Sequence, residues 1–90
     1  MAQFYLGYCL ENGDGVVRDD TLAAEWYTRS AEQGNSDAQY MLGCLYQEGM
    51  GVDRDLHLAL RLFEKSAQQG HTAATAKAKS LLTEISWFSQ

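Results

Sequence analysis

Eight glycines stand in two sets of four, and each member of the first set has a partner 36 residues further on. The pairs are Gly7 with Gly43, Gly13 with Gly49, Gly15 with Gly51, and Gly34 with Gly70. Set against each other, residues 2–37 and 38–73 share 15 identical positions in 36, where average residue usage gives about two by chance. A tandem repeat of this length marks a solenoid, in which each unit is one supersecondary motif that buries its apolar face against its neighbours. The expected organisation is a single solenoid domain over residues 1–90. It divides into repeat one at 2–37, repeat two at 38–73 and a terminal helix at 74–90.

Inside each unit the apolar spacing is helical. Ala38, Met41, Leu42, Leu45 and Tyr46 fall at i, i+3, i+4, i+7 and i+8, and Ala2, Tyr5, Leu6, Cys9 and Leu10 do the same in the first unit. Asp19 and Asp55 are placed to cap a second helix, which closes before Gly34 or Gly70. That second helix carries two stripes, Leu58 with Leu62 and Ala59 with Phe63, Ser66 and Ala67. Two stripes predict a helix held between two neighbours. The other glycine pairs then bracket the turn between helices (Gly13/Gly49 and Gly15/Gly51) or lie mid-helix (Gly7/Gly43). Mid-helix glycine costs about 1 kcal/mol against alanine, so close approach of a partner helix is the expected compensation. No proline interrupts any of the five predicted helices.

The stretch Ala38–Gly70 resembles the Sel-1-like repeat (SLR), a relative of the tetratricopeptide repeat. The ordered matches are Ala38, Leu42-Gly43, Tyr46, Gly49-x-Gly51-Val52, Asp55, Ala59, Phe63, Ala67 and Gln69-Gly70. The first unit fills the pattern nearly as well, with Trp26 and Tyr27 around the aromatic position. Residues 74–90 depart from it, since Lys79 replaces the mid-helix glycine and Ile85 stands where the first turn glycine belongs. There Ala74, Ala78, Leu81, Leu82 and Ile85 continue a helical stripe that covers the last repeat, and Trp87 and Phe88 either fold back onto it or stay partly exposed. The resemblance implies an all-α, right-handed α–α superhelix of the TPR/SLR type: two helix–turn–helix repeats and a terminal capping helix.

It also implies a non-catalytic adaptor that binds a peptide or partner helix on its concave face. On that face the first helices would present Phe4, Tyr8, Glu11 and Asn12, then Asp37, Tyr40, Cys44, Gln47 and Glu48. Phe4 and Tyr40 either floor the groove or pack between adjacent first helices. The alternatives are a structural segment that assembles into homo-oligomers through its uncovered first helix, and a scaffolding piece of a larger signalling protein or enzyme. The start of the first helix, with Phe4, Tyr5, Tyr8 and Leu10, is either the edge of a longer array or a face that pairs with another copy.

Composition narrows the classes further. A net charge of −5 argues against a phosphate-backbone binder, hence no nucleic-acid partner. Seven acids and two bases in residues 1–37 against one acid and two bases in 74–90 leave a negative head and a slightly basic tail. That asymmetry suits a basic partner segment or head-to-tail contact. No apolar run approaches the ~20 residues of a membrane helix. No phosphate loop, nucleophile elbow or His-Glu-x-x-His occurs, so no catalytic residue, cofactor or metal is expected. Asn12-Gly13-Asp14-Gly15 has part of a calcium loop but lacks its closing bidentate glutamate. Cys9 and Cys44 are expected to act as small apolar residues, and without the paired cysteines of secreted relatives a reducing compartment is favoured. His57 and His71 are expected to be exposed surface residues.

Overall fold

Local signals set the helix ends. Asp19 and Asp55 accept the backbone N–H groups of Leu22 and Leu58 through their carboxylates, each at 3.0 Å. Asn35 does the same for Ala38 at 2.9 Å. A computed structural model describes the backbone of residues 2–13 and 18–88, with the side chains of all of these but 2, 3, 87 and 88. Its elements are α1 (Ala2–Asn12), α2 (Asp20–Glu32), α3 (Ser36–Glu48), α4 (Leu56–Gln68) and α5 (Thr72–Phe88). The second half of the Asn12–Gly15 run, and with it the calcium reading, lies outside the described residues. So do the side chains of Trp87 and Phe88.

Each helix packs on its neighbours in sequence, α1 on α2, α2 on α3, α3 on α4 and α4 on α5. The result is elongated, 44 × 25 × 17 Å, as expected when units stack along one axis. Turns repeat in register. Asp19 N–H donates to Leu10 O at 2.9 Å, and Asp55 N–H donates to Tyr46 O at 3.0 Å, so the cap residue of each second helix is also pinned to the first. At the other end Gly34 N–H bonds Ala31 O and Asn35 N–H bonds Ser30 O. Gly70 and His71 repeat this pair with Ala67 and Ser66. These are Schellman closures, and they let a single residue, Asn35 or His71, end one helix and cap the next.

Two apolar clusters run along the axis. One joins Ala23, Ala24 and Tyr27 of α2 with Ala38, Leu42 and Leu45 of α3 and Leu62 of α4. The other joins Ala59 and Phe63 of α4 with Leu81 of α5, with Ala78 and Ile85 packed against it. Close helix approach at the mid-helix glycines is present. A Cβ on Gly7 would lie 2.8 Å from the Tyr27 ring, and one on Gly43 would lie 2.7 Å from the Phe63 ring. The apolar stripe of α5 divides: Leu81 is fully buried, whereas Leu82 is 54% exposed.

The repeated glutamines have a polar task. Gln39 is buried, donates from Nε2 to Ala31 O at 3.3 Å, and accepts at Oε1 from Gln69 Nε2 at 2.9 Å. Buried amides must be satisfied, and this ladder satisfies Gln39 while tying α2, α3 and the end of α4 together. Ser66, fully buried, donates to Ser36 O at 2.7 Å and links the far ends of α3 and α4.

Candidate interaction surface

Tyr27 and Phe63 occupy the same place in successive repeats, but Tyr27 carries a hydroxyl. That hydroxyl donates to Glu11 Oε1 at 2.8 Å, fixing a carboxylate of α1 over a buried ring of α2. Burial pushes the Tyr27 phenol well above its ordinary range, and the hydrogen bond and charge of Glu11 add to the rise. Tyr8 of α1 and Cys44 of α3 also act on this phenol, so side chains of both first helices bear on it.

Cys44 sits half-buried on the same side. Burial raises its thiol; a hydrogen bond from the Tyr40 hydroxyl and the charge of Lys77 pull the other way, and Glu11 and Glu48 push it up again. The thiol is therefore protonated at neutral pH, which suits a packing residue and not a nucleophile. Burial likewise raises the Tyr40 phenol, with Cys44 contributing. Cys9 is buried.

Of the nine residues expected on this face, Tyr8 is 44% exposed and Asn12, Asp37 and Glu48 are exposed. Glu11, Cys44 and Gln47 are half-buried. Asn12 turns back on its own helix, donating to Tyr8 O at 2.8 Å. Gln47 Oε1 is buried without a hydrogen-bond partner among the described residues. Phe4 and Tyr40 are half-buried against the second helices of their own repeats, with ring centroids 5.7 Å from Tyr27 and 5.8 Å from Phe63. Asp37 lies at the start of α3, at the edge of this surface.

Three participants are not apparent from the one-dimensional pattern: the Tyr27 hydroxyl, Lys77 and His71. His71 is not the exposed residue expected. Its Nδ1 accepts Ala74 N–H at 3.1 Å and caps α5, which places the proton of the neutral ring on Nε2, 2.9 Å from Asp37 Oδ1. The ring also stacks on Tyr40 with centroids 4.8 Å apart. The available signal was register, since His71 stands where Asn35 caps α3. His57 is exposed as expected. Among the described residues no three His, Cys, Asp or Glu side chains group to hold a metal ion, and no helix is long and apolar enough to cross a membrane.

Helical hairpins stacked in register, without strands among the described residues, define an all-α repeat solenoid. The Sel1 repeat family model matches residues 1–35 and 36–71, and the chain belongs to that family, whose members are generally non-catalytic protein-interaction modules. It is similar to the crystal structure of a Sel1 repeat protein from Oxalobacter formigenes, at 36% identity and a TM-score of 0.89 over 92% of this chain. It is also similar to c5321, a protective antigen present in uropathogenic Escherichia coli strains and displaying an SLR fold, at 37% identity and a TM-score of 0.80 over 81% of this chain. The match spans 34% of the first protein and 16% of the second. No curated protein matches the sequence.

Proposed function

We propose that the chain is a non-catalytic adaptor that binds a peptide or partner helix on the face formed by α1 and α3, and that the partner segment is basic. The observation that carries this reading is the acidic, aromatic patch around Tyr8, Glu11 and Glu48. There the Tyr27 hydroxyl holds the Glu11 carboxylate in place. Exposed aromatic area supplies affinity, and a fixed carboxylate selects for charge. Phe4, Tyr40 and Cys44 form the floor; Asn12 and Asp37 mark the edges.

Reversing charge at Glu11 is a poor test, because lysine would strand the buried Tyr27 hydroxyl at a cost of about 1–3 kcal/mol. Glu11→Gln keeps an acceptor and removes the charge, and Glu48 is exposed. The double variant Glu11→Gln/Glu48→Lys is expected to melt as the parent does. It should bind a partner recovered by affinity capture about three- to tenfold more weakly in calorimetry. Binding that is unchanged, and insensitive to added salt, would remove this reading.

A second reading is self-assembly through α1. Leu6 is 43% and Tyr5 62% exposed, while Leu42, one repeat later, is 5% exposed within the cluster that includes Ala24 and Tyr27 of α2. If copies pair through this face, light scattering across a concentration series shows a rising mass that Leu6→Glu abolishes. A strict monomer at high concentration ends this reading.

A further inference from the structure

Three residues on α1, α3 and α5 fall on one line. Glu11, Cys44 and Lys77 follow one another at intervals of 33 residues, which is one repeat forward and about one helical turn back. Such a step draws a straight diagonal across helices that lie side by side. The side chains act on one another along it. Glu11 and Lys77 both bear on the Cys44 thiol, with opposite sign, and Glu48, one turn further along α3, acts with Glu11. Charge therefore changes sign along the line, from acidic on α1 to basic on α5.

Lys77 is the odd member. It is half-buried, yet it pairs with no carboxylate among the described residues, where the ion pairs are Arg18 with Asp20 and His71 with Asp37. Its neighbours one turn away on α5 are Ala73, Ala74, Ser80 and Leu81, none of them acidic. Stacking does not ask for a cation there. The same position one repeat earlier is Met41, which packs against the first apolar cluster. A partly buried charge is costly without a counter-charge, and the chain supplies none to Lys77.

We propose that Lys77 holds an acidic group of the bound segment, so that the partner of the α1–α3 face is bipolar, with a basic residue over Glu11 and Glu48 and an acidic residue over Lys77. This rests on the basic-segment reading above and sharpens it from a net charge to an order of charges. The spacing follows from the fold. Packed helices stand about 10 Å apart and one turn advances about 5 Å, so two steps of the diagonal cover about 22 Å. An extended chain advances about 3.3 Å per residue. The two charges of the partner then stand about six residues apart, with a small or apolar side chain between them over Cys44. A segment that is basic throughout sets like charge against Lys77, which disfavours it.

The probe is a library of random dodecapeptides, displayed on phage and selected on the immobilised 90-residue chain. Selected peptides are expected to carry Lys or Arg and, about six positions away, Asp or Glu. Titrated into the isotope-labelled chain, such a peptide should shift the amide signals of Glu11, Cys44 and Lys77. Lys77→Glu is expected to weaken it about three- to tenfold. Replacing the peptide's acid with lysine should restore binding to that variant and weaken binding to the parent. Lys77→Gln keeps most of the side chain without its charge; it should fall between the two, and it carries the test if Lys77→Glu lowers the melting temperature. Peptides that are basic throughout, or that bind both Lys77 variants as they bind the parent, overturn this inference and leave the basic-segment reading in place. Peptides selected without a basic residue, shifts away from α1 and α3, or a library that yields no binder overturn both.

Discussion

Replacing Gly43 with valine is expected to lower stability by about 3–5 kcal/mol, enough to abolish the cooperative transition or shift it down by tens of degrees. The first Cβ already meets Phe63 Cε1 at 2.7 Å and Cδ1 at 2.9 Å, and valine adds two methyls to that crowded position. Phe63 cannot yield, because it is fully buried among Ala59, Leu81 and the Tyr40 ring. The alternative is for α4 to move off α3, which opens the first cluster at Leu62 and the glutamine link at Gln69. A domain of this size has only about 5–13 kcal/mol in total, so that retreat is close to unfolding. The comparison that assigns the cause is a cycle with Gly43→Ala and Phe63→Leu. If the clash is the mechanism, the double variant loses less than the two single losses together, because the shorter side chain accepts the new Cβ. Thermal melts that show strict additivity, or no loss for Gly43→Val, would refute this account of the glycine.

That contact was legible before any coordinates because it is a local anomaly with a global cause. A glycine in the middle of an amphipathic helix, used twice at the same register, admits few explanations other than a large partner side chain lying on it. The caps at Asp19 and Asp55 and the closures at Gly34 and Gly70 were legible for the opposite reason, since their partners lie within five residues. What escaped depends on how one repeat is set against the next. The pattern of α1 does not say that Glu11 reaches the hydroxyl of Tyr27, or that Lys77 on α5 bears on Cys44 on α3. His71 escaped because histidine is an uncommon cap, although the register with Asn35 held the answer. Leu82 marks another limit. A helical stripe gives the apolar side of α5 but not which part of that side a neighbour covers, and α4 covers Leu81 and leaves Leu82 out. Of the expected binding face, the positions were readable, and the polar links that hold them together were not.

The largest effect from the smallest change is expected at Gly51. Gly51→Ala should cost about 3–5 kcal/mol and, more specifically, should uncouple the two repeats. Two costs combine there. The backbone is left-handed, with φ +75°, which strains any side chain by about 1–2 kcal/mol. The added Cβ would also fall 2.4 Å from the carbonyl carbon of Asp20, 2.5 Å from its oxygen and 2.6 Å from the Thr21 nitrogen. Those are backbone atoms at the first turn of α2, so no rotamer change relieves them, and the α3–α4 turn must separate from the preceding repeat. Gly34 and Gly70 provide the control, with φ +91° and +89° and no atom within 4 Å of an added Cβ. Gly70→Ala therefore carries the conformational strain without the collision, and should lose only about 1–2 kcal/mol. In a stacked array, stability is a sum of unit and interface contributions, so loss of one interface has a signature that global weakening lacks. Hydrogen exchange of the Gly51→Ala chain should show α1 and α2 losing protection ahead of α3, α4 and α5, whereas in Gly70→Ala the protection of α1 and α2 should track the rest. If both variants lose equal stability with the same exchange profile, the turn glycine serves backbone conformation alone, and the seating of one repeat on the next must rest on the α2–α3 side chains.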